Sequence, residues 1–332
     1  MVSRKPQGDL EIHVPKSYNS ERPALRFSQV SFDTDLSEHP LASRLPSATD
    51  GPSIQTGGEE FRDLNTGDKL PSTIEDYTYS DEPPLALHVW SFKDAMIVSL
   101  NFPHALTDAI GLTALVKNWC KVLAGREEDV DALEEDDPFD SIGASGDKDD
   151  AGEKYVLSDL KLKGCRFLQF ALNFTLQVIF GPKMETRLIF LPQKSLRALR
   201  QRALDDLQHD DPKQTDTSDS AYAKPYISDG DILSAWGARM IDLGLGKRKR
   251  ALTVMNVFDM RSRLGSLFDH STAYVQNAIC VLFFGFDANP KPDPTHRNIF
   301  SIRGKDLSGN YWIMGMLSKT TWAHIEQELI KL

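Results

Sequence analysis

The run Leu100-Asn101-Phe102-Pro103-His104-Ala105-Leu106-Thr107-Asp108-Ala109-Ile110-Gly111 organises the reading of this chain. An apolar, strand-like stretch ends at a proline. A histidine and an aspartate follow in H-x-x-x-D spacing, and a helical pattern begins at once. A neutral imidazole at the mouth of a strand can remove a proton from a hydroxyl or an amine near neutral pH. A carboxylate four residues on can hold the local backbone. None of the other seven histidines has an aspartate at this spacing.

Outward from this run, two elements are legible on either side. Leu85 to Trp90 and Ala95 to Phe102 are apolar runs separated by Ser91-Phe92-Lys93-Asp94, which predicts a hairpin. After Asp108, Leu112, Leu115, Val116, Trp119, Val122 and Leu123 form a helical stripe that stops at Gly125. Upstream, 9–15 and 23–33 read as short strands, and 37–84 as a long polar excursion around small strands. Downstream, 155–180 reads as helix and Arg187 to Leu191 as a strand. Leu196, Leu199, Ala203, Leu204 and Leu207 mark a second amphipathic helix, followed by a polar loop over 205–224. Ser228 and Asp231 form a capping-box pattern ahead of a third helix carrying Ile232, Leu233, Ala235, Trp236, Met240 and Ile241. Ala251 to Phe258 and Ala278 to Phe286 read as strands. From Asp287 the pattern degrades into Pro-rich and Gly/Ser-rich sequence, with a short polar helix near Thr321. Irregular alternation of strands and helices predicts a mixed α and β class (α+β) with a largely buried sheet in each half.

Composition narrows the function. Arg126 to Asp150 holds 12 acidic and two basic residues, leaving 36 of each elsewhere, so the net charge of -10 sits in one stretch. That predicts a mobile acidic linker on a formally neutral body and speaks against a nucleic-acid partner. Cys120, Cys165 and Cys280 have neither paired nor metal-ligand spacing and lie in apolar contexts, which predicts buried reduced thiols and no metal site. Residues 1–20 are polar and read as no signal peptide. Phe167 to Phe180 is broken by Gln169, Asn173, Thr175 and Gln177 and is too short for a comfortable span. The expectation is a cytoplasmic monomer with no membrane partner.

Six segments, in order, resemble the plant and fungal acyl-CoA-dependent acyltransferases of the BAHD family: Asp9 to Pro15; Asn101 to Gly111; Thr186 to Leu204; the S-x-x-D-x-L-x-A-W helix in Ile227 to Ile241; the D-x-R-x-R of Val257 to Leu264; and Tyr274 to Ala278. Their order and spacing carry the resemblance over roughly 9–286. Three features depart from the family pattern. Ala109 replaces the glycine of HxxxDG, the D-F-G-x-G signature is absent, and the tail after Asp287 has no counterpart. Set against the family, the chain is expected to lack its opening strand and first helix and most of its C-terminal half. Ile227 to Phe286 would then want sheet neighbours, leaving Cys280 to Phe284 a poorly covered edge.

The resemblance implies a chloramphenicol-acetyltransferase-like two-domain sandwich, here incomplete. Its parts would be an N-terminal half over 1–125, an acidic linker and crossover over 126–184, and a partial C-terminal half over 185–332. It implies no bound cofactor; acyl-CoA is a co-substrate, and a small-molecule alcohol or amine of secondary metabolism is the acceptor. His104 would be the general base, with the satisfaction of a local backbone group as its alternative role. Asp108 would turn away from substrate and pair with an arginine, either Arg261 or Arg263. Asn277 and the two tryptophans Trp119 and Trp236 read as structural. Lys247-Arg248-Lys249-Arg250 reads as a solvated turn, with the phosphates of coenzyme A or a nuclear import signal as alternatives. A non-catalytic remnant and a condensation-type domain remain as other classes; the latter normally carries a second histidine where Pro103 stands here.

Overall fold

The hairpin ahead of Pro103 forms, with His88 opposite Ser99 as its buried pair. The computed structural model describes residues 2–4, 10–65, 71, 73–134, 136, 138–139, 162–209, 226–246, 253–268, 272–274, 279–285 and 298–332. In chain order these contain β1 (Val2–Arg4), β2 (Leu10–Ile12), β3 (Arg26–Ser31), β4 (Ser53–Thr56), α1 (Ile74–Thr78), β5 (Ala86–Ser91), β6 (Met96–Asn101), α2 (Ala109–Leu123) and β7 (Ala132–Leu133). They continue with α3 (Cys165–Phe180), β8 (Met184–Leu191), α4 (Gln193–His209), α5 (Asp229–Gly244), β9 (Thr253–Asp259), β10 (Thr272–Ala273), β11 (Ile279–Gly285), β12 (Ile299–Lys305), β13 (Tyr311–Ser318) and α6 (Lys319–Leu329). The class is mixed α and β.

Two units divide the chain, each discontinuous in sequence. One comprises Met1–Ser43, Asp63–Lys161 and Met255–Phe284; the other comprises Arg44–Arg62, Leu162–Val254 and Gly285–Leu332. The halves expected at 1–125 and 185–332 were contiguous. The structure instead exchanges two segments, because backbone pairing and an ion pair join residues far apart in the chain.

In the first unit, β5 pairs antiparallel with β6, placing Trp90 opposite Ile97 and Leu87 opposite Leu100. β3 pairs parallel with β5. Parallel pairing needs a long crossover, and the polar excursion over 37–84 lies within it. This sheet is not largely buried: Phe27, Met96 and Val98 are exposed on the outer strands, which among the described residues have a neighbour on one side only. At one end of it Phe32 stacks between Trp90 and Phe92, with centroids 5.1 and 4.9 Å away. α2 ends as expected, with Gly125 at a φ of +68°, a left-handed conformation that glycine adopts without a Cβ penalty. Beyond it, part of the acidic stretch is ordered: β7 pairs parallel with β10. Most of 135–161 lies outside the described residues.

In the second unit a four-stranded antiparallel sheet runs β12-β13-β8-β4. α4, α5 and α6 cover one face. Ile189 and Leu191 of β8, and Tyr311, Ile313 and Leu317 of β13, pack with Leu196 and Leu199 of α4, Leu233, Trp236 and Met240 of α5, and Trp322, Ile325 and Leu329 of α6. Burial of such side chains stabilises by about 1.5–3 kcal/mol each. The tail after Asp287 is therefore not patternless: it supplies β12, the central strand β13 and α6. Its alternation was hidden because Trp312, Met314 and Met316, on the opposite face of β13, are apolar too, and because a register shift interrupts β12 between Ile302 and Gly304. α4 runs on to His209, past the expected loop start at 205. The edge expected at Cys280 to Phe284 is in β11, which pairs with β9.

Ser228 caps α5 as its sequence required. Its hydroxyl accepts from the Asp231 amide at 3.1 Å, and the Asp231 carboxylate accepts from the Ser228 amide at 2.9 Å. Trp236 lies in the core, while Trp119 is only half-buried.

Candidate active site

Pro103 cannot donate a ladder hydrogen bond, and β6 stops two residues before it. The chain then turns: the Leu106 amide donates to the Pro103 carbonyl at 2.9 Å. His104 and Ala105 sit at the tip of this turn and are exposed. The next two residues after Leu106 go inward. Thr107 is fully buried and Asp108 is 2% exposed.

Asp108 is the N-cap of α2. Its backbone is extended, and Oδ1 accepts from the amides of Ile110 at 3.0 Å and Gly111 at 2.8 Å. Two otherwise orphaned helix N–H groups are thus satisfied, and the negative charge sits at the positive end of the helix dipole. A buried carboxylate also needs a countercharge. Nη2 of Arg261 donates to Oδ1 and Oδ2 of Asp108, both at 3.1 Å. The rest of that guanidinium is anchored as well. Nη1 donates to Oδ1 of Asp259 at 2.8 Å, and Nε donates to the Tyr274 carbonyl at 3.1 Å.

The structure therefore brings Asp108 together with Arg261 and not with Arg263. The Arg263 guanidinium lies 4.8 Å from the centre of the Phe258 ring, a cation–π contact. Asp259 and the Tyr274 carbonyl belong to the arrangement but were given no role from sequence. The D-x-R spacing of Asp259 and Arg261 was the available signal, since it lets the carboxylate reach back to its neighbour's side chain and amide. Asn277 and Lys247 to Arg250 fall outside the described residues. Among the described residues no His, Cys, Asp and Glu cluster suits a metal ion.

The expectation of buried thiols fails for two cysteines. Cys120 and Cys165 are both exposed and free. Cys120 lies one position beyond the α2 stripe, which the 3.6-residue period turns toward solvent. Cys165 opens a helix that is exposed over most of its length.

The pattern of the Transferase family matches residues 60–139, which include the His104–Asp108 turn. The chain is 37% identical over 288 residues to the O-acetyltransferase PaAT-2 of Phomopsis amygdali, covering 85% of this chain and 58% of that protein. It is 36% identical over 276 residues to acetyltransferase BOT5 of Botryotinia fuckeliana, covering 82% and 49%. The chain thus spans about half the length of the curated relatives it matches. Among solved structures, F. graminearum TRI101 complexed with coenzyme A and T-2 mycotoxin shares the fold, with a TM-score of 0.54 at 12% identity over 92% of this chain and 81% of that one. The chain is thus similar to the Transferase family over residues 60–139 and, along most of its own length, to fungal acetyltransferases.

Proposed function

We propose that this protein transfers an acyl group, acetyl in particular, from acyl-CoA to a hydroxyl or amine of a small molecule of secondary metabolism. The observation that carries the reading is the pairing of a buried, ion-paired helix cap at Asp108 with an exposed imidazole four residues earlier. Asp108 is engaged by the helix amides and Arg261, so it holds the turn. His104 is the residue presented for proton transfer.

In this reading the neutral His104 ring takes the proton from the acceptor as its oxygen or nitrogen attacks the thioester carbonyl. The tetrahedral adduct then collapses, the C–S bond breaks, and the imidazolium returns the proton to the departing CoA thiolate. A positioned general base contributes about a hundred- to ten-thousand-fold in rate. The acetyl donor is suggested by the names of the relatives, PaAT-2 and BOT5. The coenzyme A and T-2 mycotoxin of the TRI101 complex belong to that protein, and support a CoA thioester donor and an alcohol acceptor here only by analogy. Unpaired cysteine spacing supports a reducing, cytoplasmic location, and we take the working unit to be a monomer.

The test is release of free CoA thiol from acetyl-CoA in the presence of a panel of alcohols and amines. His104→Ala should lower acceptor-dependent kcat by about two to four decades with the fold retained. Near-full turnover in that variant would remove His104 from the mechanism. Absence of acceptor-dependent thiol release across the panel and several acyl-CoA chain lengths would remove the transferase reading for this chain.

A further inference from the structure

α3 is out of keeping with the rest of the molecule. Its 16 residues, CRFLQFALNFTLQVIF, contain no acidic residue. Leu168, Leu172, Ile179 and Phe180 are 66%, 60%, 63% and 78% exposed, and Phe167, Phe174, Leu176 and Val178 are exposed as well. Only Phe170 and Ala171 among its apolar side chains are half-buried. A water-soluble surface leaves single apolar side chains exposed, not a contiguous helix of them.

Arg166, Gln169 and Asn173 follow i, i+3, i+7 and so share one side of the helix, next to Leu176 and Phe180. Phe167, Leu168, Ala171, Leu172, Phe174, Val178 and Ile179 fill the broad remaining arc, which Thr175 alone interrupts. The charge around the helix is also distinctive. From Leu160 to Met184 the sequence holds four basic residues (Lys161, Lys163, Arg166 and Lys183) and no acidic one, in a chain of net charge -10. Lys163, Arg166 and Lys183 are exposed.

We propose that α3 is a membrane-surface helix that seats its apolar arc among the acyl chains of an anionic bilayer, with Lys163, Arg166 and Lys183 at the headgroups. At ~1.5 Å per residue its 16 residues reach about 24 Å, short of a ~30 Å hydrocarbon core, so the helix lies in the interface and does not span it. No helix among the described residues is long and apolar enough to cross a membrane. The flanking bases favour anionic lipid over the alternative of a second copy, whose identical bases would be brought together at a self-paired face. This proposal departs from the expectation of no membrane partner, which weighed only a spanning segment. It stands independently of the acyl-transfer reading.

The experiment is flotation of the whole chain with vesicles of phosphatidylcholine alone and of phosphatidylcholine mixed with phosphatidylserine, at low and high salt. Wild type should float with the mixed vesicles, at least about tenfold more weakly with the neutral ones, and less at high salt. The double variant Leu172→Glu/Ile179→Glu should remain in solution, with helix content and melting unchanged because both side chains are already exposed. The charge reversal Lys163→Glu/Arg166→Glu, which leaves the apolar arc intact, should bind mixed and neutral vesicles alike. Wild type that floats with neither vesicle overturns the proposal, as does undiminished flotation of both variants. A dimer in sedimentation that Leu172→Glu/Ile179→Glu dissociates, without flotation of wild type, would assign the face to a second copy instead.

Discussion

Arg261 donates to both carboxylate oxygens of Asp108 from 153 positions further along the chain, and both groups are largely buried. The pair fastens the turn after β9 to the N-cap of α2, four residues after the exposed His104. A helix cap that is also half of a long-range ion pair sets the backbone of the H-x-x-x-D turn from two directions. Local sequence provides the two amide donors, and tertiary structure provides the guanidinium.

Asp108→Ala should therefore destabilise on two counts. It removes the cap, worth about 1 kcal/mol, and leaves Arg261 with Asp259 as its one remaining carboxylate among the described residues, so the cost of breaking this buried pair falls below the about 3–5 kcal/mol of a fully stranded charge. Thermal unfolding should show a large fall in melting temperature. Activity should fall with it, whereas in His104→Ala the loss of activity is the dominant effect. An unchanged melting temperature would contradict the buried pair.

The two arginines of the D-x-R-x-R segment should separate cleanly. Arg261→Lys keeps the charge but not the fork that reaches Asp108, Asp259 and the Tyr274 carbonyl together, so it should still destabilise clearly. Arg263→Ala loses one exposed contact with the Phe258 ring and should cost less than about 1 kcal/mol. Equal losses in the two variants by chemical denaturation would overturn this assignment.

Gly315 tests the packing of the central strand β13. A Cβ placed there would lie 2.8 Å from Cη2 and Cζ2 of Trp322, whose ring is almost fully buried. That ring is held in place, with its Nε1 donating to the Glu185 carbonyl at 3.0 Å. Gly315→Ala should cost about 1–3 kcal/mol by overpacking, seen as a lower denaturant midpoint. A neutral or stabilising result would show that Trp322 can move.

Acid stability of the second unit should depend on Asp229. Lys305 at 2.8 Å holds its carboxyl below the ordinary value of 3.8, and Tyr311 at 2.9 Å and Arg200 add to the effect. A depressed folded value means that the stabilisation is complete above the ordinary aspartate range. It fades as pH falls through that range to the lower folded value. Asp229→Asn should lower the melting temperature near neutral pH, and the gap from wild type should close as acid protonates the wild-type group. A gap that is constant from neutral to strongly acid conditions would show that the charge of Asp229 contributes nothing.

Much of this architecture was legible in sequence because its causes are local. The stripe from Leu112 to Trp119, the stop at Gly125, the Ser228–Asp231 capping box and the β5–β6 hairpin each depend on residues a few positions apart, within reach of helix or strand periodicity. The H-x-x-x-D turn was visible for the same reason. What the sequence left open depended on partners across the chain. Arg261 and Arg263 are equivalent by composition, and only the direction in which each side chain leaves the turn after β9 decides which meets Asp108. β4 lies inside the polar excursion over 37–84 and was not singled out there; its pairing with β8 defines it. β13 looked patternless because both its faces are apolar, and its place at the centre of a sheet exists only once β8 and β12 flank it. Periodicity records what a residue's own element requires, whereas pairing between distant elements is selected by the free energy of the whole packed unit.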